Sequence, residues 1–265
     1  MTTKLKDIQN SSDSRGIDIQ KVGVKDVEIP LIIQRKNDSN QTVYAKARMS
    51  VSLPKHYKGT HMSRFMEVLN EWREKNLLGV DIEGCLKDIM NRLDANSAEL
   101  EFSFKYFLNK TAPVSKNICT MSYDCSFEGE IDKNGKYTFI LGAKVPVTTL
   151  CPCSKEISDF GAHNQRAIIK IKVSYDNDKM IWLEDLIALA EECCSAQVYP
   201  LLKREDEKFV TEQAYKNPKF VEDVLRDVVT RLRNHPDVNW FKVECEAFES
   251  IHNHSAWAFQ QEGVL

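Results

Sequence analysis

The sequence lacks the features that would assign it to a membrane, secreted or nucleic-acid-binding class. No run approaches the roughly 18 apolar residues that a membrane-spanning helix needs, and the opening stretch MTTKLKDIQN has no apolar core of the kind found in signal peptides. The formal net charge is only -3 over 265 residues, so no strongly basic balance favours binding to nucleic acid or to an anionic membrane. We therefore expect a cytoplasmic protein with no membrane and no nucleic-acid partner.

A disulfide framework is also missing. The cysteines, at positions 85, 119, 125, 151, 153, 193, 194 and 245, follow no regular spacing, and in a reducing compartment most of them should be free thiols. At 265 residues, of which 42% are hydrophobic, the chain can bury one large core or two modest ones. It is therefore long enough to be an enzyme. Only the close pair Cys151 and Cys153 requires a special explanation.

Hydrophobic periodicity predicts strands and helices in a definite order. AKARMSVSL alternates apolar and polar residues, which predicts a half-buried antiparallel strand with KDVEIPLIIQ as its partner. A first helix is predicted after this strand pair, with an apolar face formed by Met62, Phe65, Met66, Leu69 and Trp72. A second helix is predicted from about residue 81 to 94, and ELEFSFKYF and NICTMSYDCSFEGEI then return to strand alternation.

The same order of elements occurs again in the rest of the chain, as a repeat of pattern and not of sequence. We predict the α+β fold class with two ββααββ units: a flexible N-terminal segment over 1–20, a first unit over 21–130 and a second over 131–265. Each unit would form a small antiparallel sheet with helices on one face. Such sheets have open edges, and closing them into barrels across subunits would hide those edges, so we expect a homo-oligomer.

The stretch CPCSKEISDFGAHNQRA concentrates groups that can bind a metal or act as nucleophiles. Cys151 and Cys153 lie two residues apart, and in extended backbone both thiols would project to the same side. His163 follows in a loop, where it is a candidate metal ligand or a base that deprotonates a thiol. The alternative is that two small residues lie buried beside a turn and that the histidine is an ordinary surface residue.

Two more histidines and a basic stretch are further candidates. His252 and His254, in SIHNHSA, lie two apart after a predicted strand, so both rings can point the same way; the alternative is an ordinary polar strand end. KGTHMSRF brings Lys58, Ser63 and Arg64 to a predicted helix start, where backbone N–H groups favour an anion. A simply capped helix would also explain that stretch.

The acidic candidates differ in their surroundings. Glu205, Asp206 and Glu207 form a run that is most simply a solvated turn. Glu222 lies on a predicted helix, at the border of its apolar arc, whereas Asp223 lies in the middle of the polar arc. A carboxylate at the edge of a buried face can accept two N–H donors from a planar heterocycle.

Taken together, KGTHMSRF, CPCSKEIS, GAHNQRA, LLKREDEKFVTEQAY, NPKFVED and ESIHNH resemble the type IB GTP cyclohydrolases, from about Val22 to the C-terminus. The resemblance implies the tunnelling fold and a homotetramer with active sites at subunit interfaces. It also implies GTP as the substrate, because this family opens the imidazole ring of GTP and releases C8 as formate. The product is 7,8-dihydroneopterin 3'-triphosphate, formed in the first step toward tetrahydrofolate.

The resemblance further implies a divalent metal bound by Cys151, His163 and Glu207, with zinc or manganese first and ferrous iron as a third choice, since mixed ligand sets discriminate weakly. A metal-bound water would attack C8 of GTP. The family usually has proline where this chain has Glu205, which leaves two nearby glutamates as possible ligands. We choose Glu207 because it occupies the family's acidic position after Asp206.

The remaining roles also come from the resemblance. Glu222 matches the carboxylate that anchors the guanine edge, and His252 and His254 match a proton-handling pair that would act as general acid and base. Cys153 either enters the metal shell or positions the substrate. The triphosphate needs cations and donors, which we assign to Lys58, Ser63, Arg64 and Arg166.

Two other functions are compatible with parts of this pattern. The nitrile reductase of queuosine synthesis has the same fold and would use a thiol as a covalent nucleophile, with NADPH as hydride source. The metal-ligand histidine and the paired histidines favour GTP hydrolysis instead. A non-catalytic oligomeric scaffold with structural zinc would leave Glu222 and KGTHMSRF without a role.

Overall fold

The computed structural model describes residues 8–9 and 11–265, except for the side chain of Val80. The α+β class built on antiparallel strands is confirmed, with one short parallel pairing between β3 and β1. In chain order the elements are β1 (Ile19–Gln34), β2 (Asn40–Leu53), α1 (Met62–Trp72), β3 (Asn76–Leu77), α2 (Gly79–Leu93), β4 (Ala98–Thr111), β5 (Ile118–Ile131), β6 (Tyr137–Leu150), α3 (Pro152–Ile157), β7 (Asn164–Ser174), α4 (Leu183–Glu191), β8 (Ala196–Gln197), α5 (Arg204–Lys216), α6 (Val221–Arg233), β9 (Trp240–Ala247) and β10 (Ala256–Gly263). Within this described part of the chain, none of the helices is long and apolar enough to cross a membrane.

The chain divides into two compact units, and the boundary between them falls within three of the strands. The first unit contains the residues up to Phe104 together with Ser126–Phe139, and the second contains Lys105–Cys125 and Ile140–Leu265. Strands β4, β5 and β6 therefore contribute residues to both units. The segment 1–20, which the sequence predicts to be flexible, lies partly outside the described residues, and in its described part Ser12 forms a β-bridge with Tyr57.

In the first unit the period-two pattern predicts the buried side of the sheet. β2 alternates buried and exposed residues along AKARMSVSL and pairs antiparallel with β1, as predicted. α1 begins at Met62 as predicted and buries Phe65 and Val68 with two further apolar residues. Met62 and Met66, however, are 42% and 43% exposed. Including them in the apolar face was wrong, because Val68 shifts the centre of that face away from both methionines.

In the second unit the thiol motif lies at the ends of two paired strands, β6 and β7. β6 pairs with β7, β7 with β9, and β9 with β10, all antiparallel, and α6 packs on β9 and β10. β10 pairs with β9 alone among the described strands, so it forms an edge of the sheet. β6 ends at Leu150 and β7 begins at Asn164, so the stretch from Cys151 to His163 is the connection between two adjacent strands.

A buried ion pair crosses the interior of the second unit. The side chains of Lys110 on β4 and Glu191 on α4 are 8% and 10% exposed and bind each other. Tyr123 donates its hydroxyl to Glu191 Oε1 at 2.8 Å, and Lys110 Nζ lies 4.8 Å from the ring centroid of Tyr199. Burial, and then the charge of Glu191, raise the pKa of Tyr123, so its hydroxyl stays a donor. The charge of Glu191 is therefore met by Lys110 and by the Tyr123 hydroxyl, and both contacts are buried.

We expect Lys110→Met to lower the free energy of unfolding by about 3–5 kcal/mol, because it leaves the Glu191 carboxylate buried without its cation. Urea unfolding followed by circular dichroism measures the change. The matched control is Lys105→Met on the same strand, since Lys105 pairs with Asp124 at 2.6 Å while both side chains are more than half exposed. Exposed pairs contribute at most about 1 kcal/mol, so equal losses in the two variants would contradict the prediction.

Candidate metal centre and substrate site

A backbone hydrogen bond links Cys151 and His163 just beyond the end of the β6–β7 pairing. The strand register ends at Leu150 opposite Asn164, and one step further Cys151 N–H donates to the carbonyl of His163 at 3.1 Å. The Ser154 side chain bridges the same two residues, since its Oγ accepts from His163 N at 3.2 Å and donates to Cys151 O at 3.1 Å. The structure therefore brings together two of the three predicted metal ligands.

The backbone that carries Cys151 and Cys153 is not a continuous extended strand, because it turns into the helix α3 at Pro152. Cys151 is the N-cap of α3, where its Sγ accepts from Ser154 N at 3.4 Å, and Cys153 is the second residue of the helix. The alternation that places residues two apart on one side of a strand therefore does not apply to this pair. Cys151 is partly buried and Cys153 is exposed. The expectation of two parallel thiols from extended backbone was therefore wrong.

The ring of His163 is oriented by a polar network that sequence analysis missed. His163 Nδ1 lies 2.9 Å from Gln165 Oε1 and 3.7 Å from Glu249 Oε2. The other end of the Gln165 amide, Nε2, donates to Thr149 Oγ1 at 2.9 Å and to Glu249 Oε1 at 3.4 Å. Gln165 therefore presents its oxygen to the ring, and in the neutral imidazole this contact favours the tautomer with the proton on Nδ1 and the lone pair on Nε2.

This arrangement prepares His163 as a metal ligand. Ligating histidines typically donate their second ring nitrogen to an amide or carboxylate oxygen, which sets the tautomer and the ring plane. Gln165 lies in the GAHNQRA motif and Glu249 in ESIHNH, so both belong to stretches that the sequence had singled out. Their roles could not be found there, because the network joins residues 84 positions apart.

The acidic run 205–207 is the start of a helix and not a solvated turn. α5 begins at Arg204, and Asp206 is buried whereas Glu205 and Glu207 are exposed. Asp206 Oδ2 accepts from Lys203 N at 2.9 Å, which is the pattern of a carboxylate at the third helical position bonding back to the N-cap. Burial alone would raise the pKa of Asp206, but hydrogen bonds from Ser115 and the backbone lower it well below the usual range.

The buried side of α5 packs against the residues that precede the two joined ligands. Ala214 belongs to a buried cluster with Leu150, and Val210 and Ala162 pack against that cluster. Leu150 comes immediately before Cys151 in the chain and Ala162 immediately before His163. The helix that carries the predicted acidic ligand is therefore packed directly beside the other two.

Helix geometry favours Glu207 over Glu205 as the third ligand. Successive residues are about 100° apart around a helix, so Glu207 is turned by about 60° from the middle of the buried side marked by Asp206 and Ala214, and Glu205 by about 140°. Glu207 thus lies at the border of the face that packs beside Cys151, whereas Glu205 points away from it. Both side chains are exposed.

The donor set suits a divalent metal, although the side chains are not yet gathered around one point. Among the described residues, no three His, Cys, Asp or Glu side chains lie close enough together to hold a metal ion as they stand. A thiolate, an imidazole with Nε2 available and a carboxylate are nevertheless the ligand types of zinc sites that keep an open position. The residues present therefore fit such a metal, with the exposed Glu207 side chain free to complete the set.

Glu222 is the second residue of α6 and is exposed beside a surface groove of about 340 Å³. Asp223, which the sequence placed in the middle of the polar arc, is only partly exposed and accepts from Phe220 N at 3.1 Å as a helix cap. Phe220 itself precedes the helix and is 39% exposed. The groove is lined by Glu222, Leu225, Arg226, Val229, Thr230, Arg233 and Gln260.

His252 and His254 lie side by side, as predicted from their spacing. Their rings are stacked with centroids 4.9 Å apart and an angle of 17° between the planes, and both side chains are exposed in the connection between β9 and β10. Arg166, a predicted triphosphate ligand, is exposed on β7, and its carbonyl accepts from Phe248 N at 2.9 Å. Arg166 is therefore tied through its backbone to the segment that leads to the two histidines.

The remaining predicted phosphate ligands belong to the first unit. α1 has His61 as its N-cap, and Ser63 and Lys58 are exposed near this helix start. Arg64 is partly buried, and its Nη1 donates to the carbonyl of Arg92 at 2.7 Å. Arg64 also lines a cavity of about 370 Å³ together with His61.

The solved structures with a similar architecture include uricases. The uricase from Arthrobacter globiformis superposes with a TM-score of 0.55 at 8% identity, over 92% of this chain and 93% of that one. The uricase from Bacillus fastidious gives a TM-score of 0.53 at 10% identity, over 92% and 93%. At such low identity the likeness concerns the fold alone, which is that of the tunnelling-fold proteins.

Sequence comparison identifies the family. A family model described as Type I GTP cyclohydrolase folE2 matches residues 5–258. GTP cyclohydrolase FolE2 of Geobacter sp. (strain M21) is 53% identical over 254 residues, which cover 96% of this chain and 93% of that protein. GTP cyclohydrolase FolE2 of Syntrophus aciditrophicus (strain SB) is 51% identical over 257 residues, which cover 97% and 99%. The chain therefore belongs to the type I GTP cyclohydrolase FolE2 family.

Proposed function

We propose that this protein is a metal-dependent GTP cyclohydrolase I that converts GTP and water to formate and 7,8-dihydroneopterin 3'-triphosphate. The activity follows from identities of about 50% to GTP cyclohydrolases over nearly the whole chain. The structural observation that supports metal dependence is the backbone-joined pair of Cys151 and His163, with Nε2 of His163 left available by its Gln165 contact. The nitrile-reductase and structural-zinc alternatives have no comparable support.

The metal would be held by Cys151, His163 and Glu207, with zinc or manganese first and ferrous iron next. When bound, such a cation lowers the pKa of water and supplies the nucleophile for C8 of the guanine. The protein's contribution is orientation: Gln165 and Glu249 hold the histidine tautomer that the ligand set needs. Cys153, exposed on α3, either completes the ligand shell or contacts the substrate.

Substrate orientation and proton transfer would come from residues outside this ligand set. The Glu222 carboxylate is suited to accept from the N1–H and the 2-amino group of guanine, which present two donors in one plane. His252 and His254 would donate and remove protons during opening of the imidazole ring and loss of formate, since imidazole is the side chain that exchanges protons near neutral pH. Their exposure leaves both rings accessible to a substrate.

The triphosphate would be bound by Lys58, Ser63, Arg64 and Arg166. These residues would be contributed across an interface between subunits. We further propose that the protein is a homotetramer in which sheets close into barrels across subunits. Two observations support this: β10 pairs with β9 alone among the described strands, which leaves an open edge, and Trp257 and Phe259 on that strand are 59% and 42% exposed in the single chain.

Metal-stripped protein incubated with GTP tests the proposal. We expect formate and the fluorescent oxidised pterin to appear in a 1:1 ratio after manganese or zinc is restored, and neither to appear without metal. ATP is the control substrate, since it lacks the 2-amino and N1–H donors. Product formation at an unchanged rate in chelated protein would contradict metal dependence, and absence of product with every metal in folded protein would contradict the cyclohydrolase activity itself.

A further inference from the structure

We propose that Asp206 is a positioning residue that holds Glu207 in place for the metal. The inference rests on the proposed function, since it assigns Glu207 as a ligand. Asp206 neighbours Glu207 in the chain, has no exposed surface and is turned into the protein, so it does not compete for the metal itself. Its role would be to determine where the first turn of α5 lies.

The Asp206 carboxylate is held by four hydrogen bonds from two separate segments. Oδ1 accepts from Val114 N at 2.8 Å and Ser115 N at 2.9 Å. Oδ2 accepts from Ser115 Oγ at 2.6 Å and from Lys203 N at 2.9 Å. Only the Lys203 bond lies within the start of α5, and the other three come from the connection between β4 and β5, about 90 residues earlier.

Helix capping alone does not require these additional bonds. Asp81 occupies the same position at the start of α2 and accepts from Leu78 N at 2.8 Å. Asp223 does the same at α6 and accepts from Phe220 N at 3.1 Å. Asp206 adds to the cap a three-bond connection to another part of the same unit. Such a connection positions the end of a helix, whereas a cap only terminates it.

The segment that holds Asp206 is itself well fixed. Ala112 N–H donates to Asn117 O at 2.8 Å, which closes the connection, and Asn117 Nδ2 donates to Ser115 Oγ at 3.1 Å. Strands β4 and β5 continue directly from either end. Asp206 therefore ties the first turn of α5, which carries Glu207, to a rigid connection between two strands. A metal ligand needs such support because productive geometry tolerates errors of only about 0.5 Å.

We expect Asp206→Asn to weaken manganese binding about 10- to 100-fold, the range found when a residue supporting a metal ligand is lost. Asparagine keeps one oxygen for Val114 and Ser115 but places an amide N–H against Lys203 N–H, so the anchoring is disturbed. Ser115→Ala removes a single bond and should weaken binding only a few-fold. Titration of metal-free full-length protein with manganese, followed by electron paramagnetic resonance, measures each dissociation constant.

Asp81→Asn is the matched control, since it removes a cap of the same type in the first unit. We expect it to lower the melting temperature as Asp206→Asn does, but to leave the manganese dissociation constant within about two-fold. If Asp206→Asn and Ser115→Ala likewise leave that constant unchanged, Asp206 is only a cap and the proposal is overturned. If Asp206→Asn does not fold, Ser115→Ala decides, because it keeps the carboxylate and its other three bonds.

Glu207→Gln and Glu205→Gln separate this inference from the proposed function. Loss of manganese binding in Glu207→Gln, with retention in Glu205→Gln, supports the ligand assignment on which the inference depends. Normal binding in Glu207→Gln contradicts that assignment and overturns the positioning role with it. Weak binding in Glu207→Gln together with normal binding in Asp206→Asn leaves the proposed function standing and rejects the role of Asp206 alone.

Discussion

Cys151→Ser is expected to lower the rate of formate release by more than about 10³-fold. Removing a single hydrogen-bond donor to a developing charge costs about 10²–10³ in rate. Removing a thiolate ligand should cost more, because it weakens binding of the cation and with it the activated water that the cation supplies. Serine keeps an oxygen that can accept from Ser154 N, as Cys151 Sγ does at 3.4 Å, so the start of α3 is preserved. The assay pairs formate release with the metal content of the purified protein.

Cys119→Ser is the control for loss of a thiol as such. Cys119 is partly buried, as Cys151 is, but lies on β5, outside the ligand set. We expect Cys119→Ser to keep both the metal and the activity. Cys151→Ser protein that retains a tenth or more of the wild-type rate with normal metal content would show that the thiolate is not a ligand.

Glu222→Gln is expected to lower kcat/KM for GTP about 30- to 1,000-fold. The carboxylate can accept two N–H donors of guanine, whereas glutamine offers one oxygen and opposes the second donor with its own N–H group. Loss of one charge-assisted bond and creation of an unsatisfied donor cost about 2–4 kcal/mol, which corresponds to that range. Steady-state kinetics at saturating metal measures the change.

Substrate preference makes this test specific to guanine recognition. Inosine triphosphate lacks the 2-amino group but keeps N1–H, so the wild-type protein should prefer GTP and Glu222→Gln should reduce that preference. Asp223→Asn, the next residue on α6, is the matched control, since Asp223 caps the helix through Phe220 N; it should lower stability but keep the preference. An unchanged ratio of GTP to inosine triphosphate in Glu222→Gln would reject the role of guanine anchor.

Several structural features were predictable from local patterns. The alternation in AKARMSVSL predicted the buried side of β2 and its pairing with β1, because a period of two places every second side chain on one side of a sheet. The spacing of His252 and His254 predicted rings that point the same way, which the stacking confirms. Such features depend on residues within a few positions of each other, and the sequence displays those directly.

Other features depended on the local backbone, which composition does not reveal. The direction of Cys153 was wrong because Cys151, with Pro152 after it, starts a short helix where extended backbone was assumed. Proline suits the first position of a helix, where its missing N–H group is not needed. The run at Glu205 was similarly mistaken for a turn, although a carboxylate three residues after Lys203 is a signal of a helix start.

The sequence by itself determined the alternation of strands and helices, the α+β class, and the stretch that carries Cys151 and His163. Only the tertiary structure decided which groups complete that stretch: the orientation of His163 by Gln165 and Glu249, and the burial of Asp206 against Ser115. The physical reason is that hydrogen bonds between residues some 85 or 90 positions apart depend on how the strands and helices pack. Periodicity shows which side of an element is buried, but it does not show which partner lies opposite.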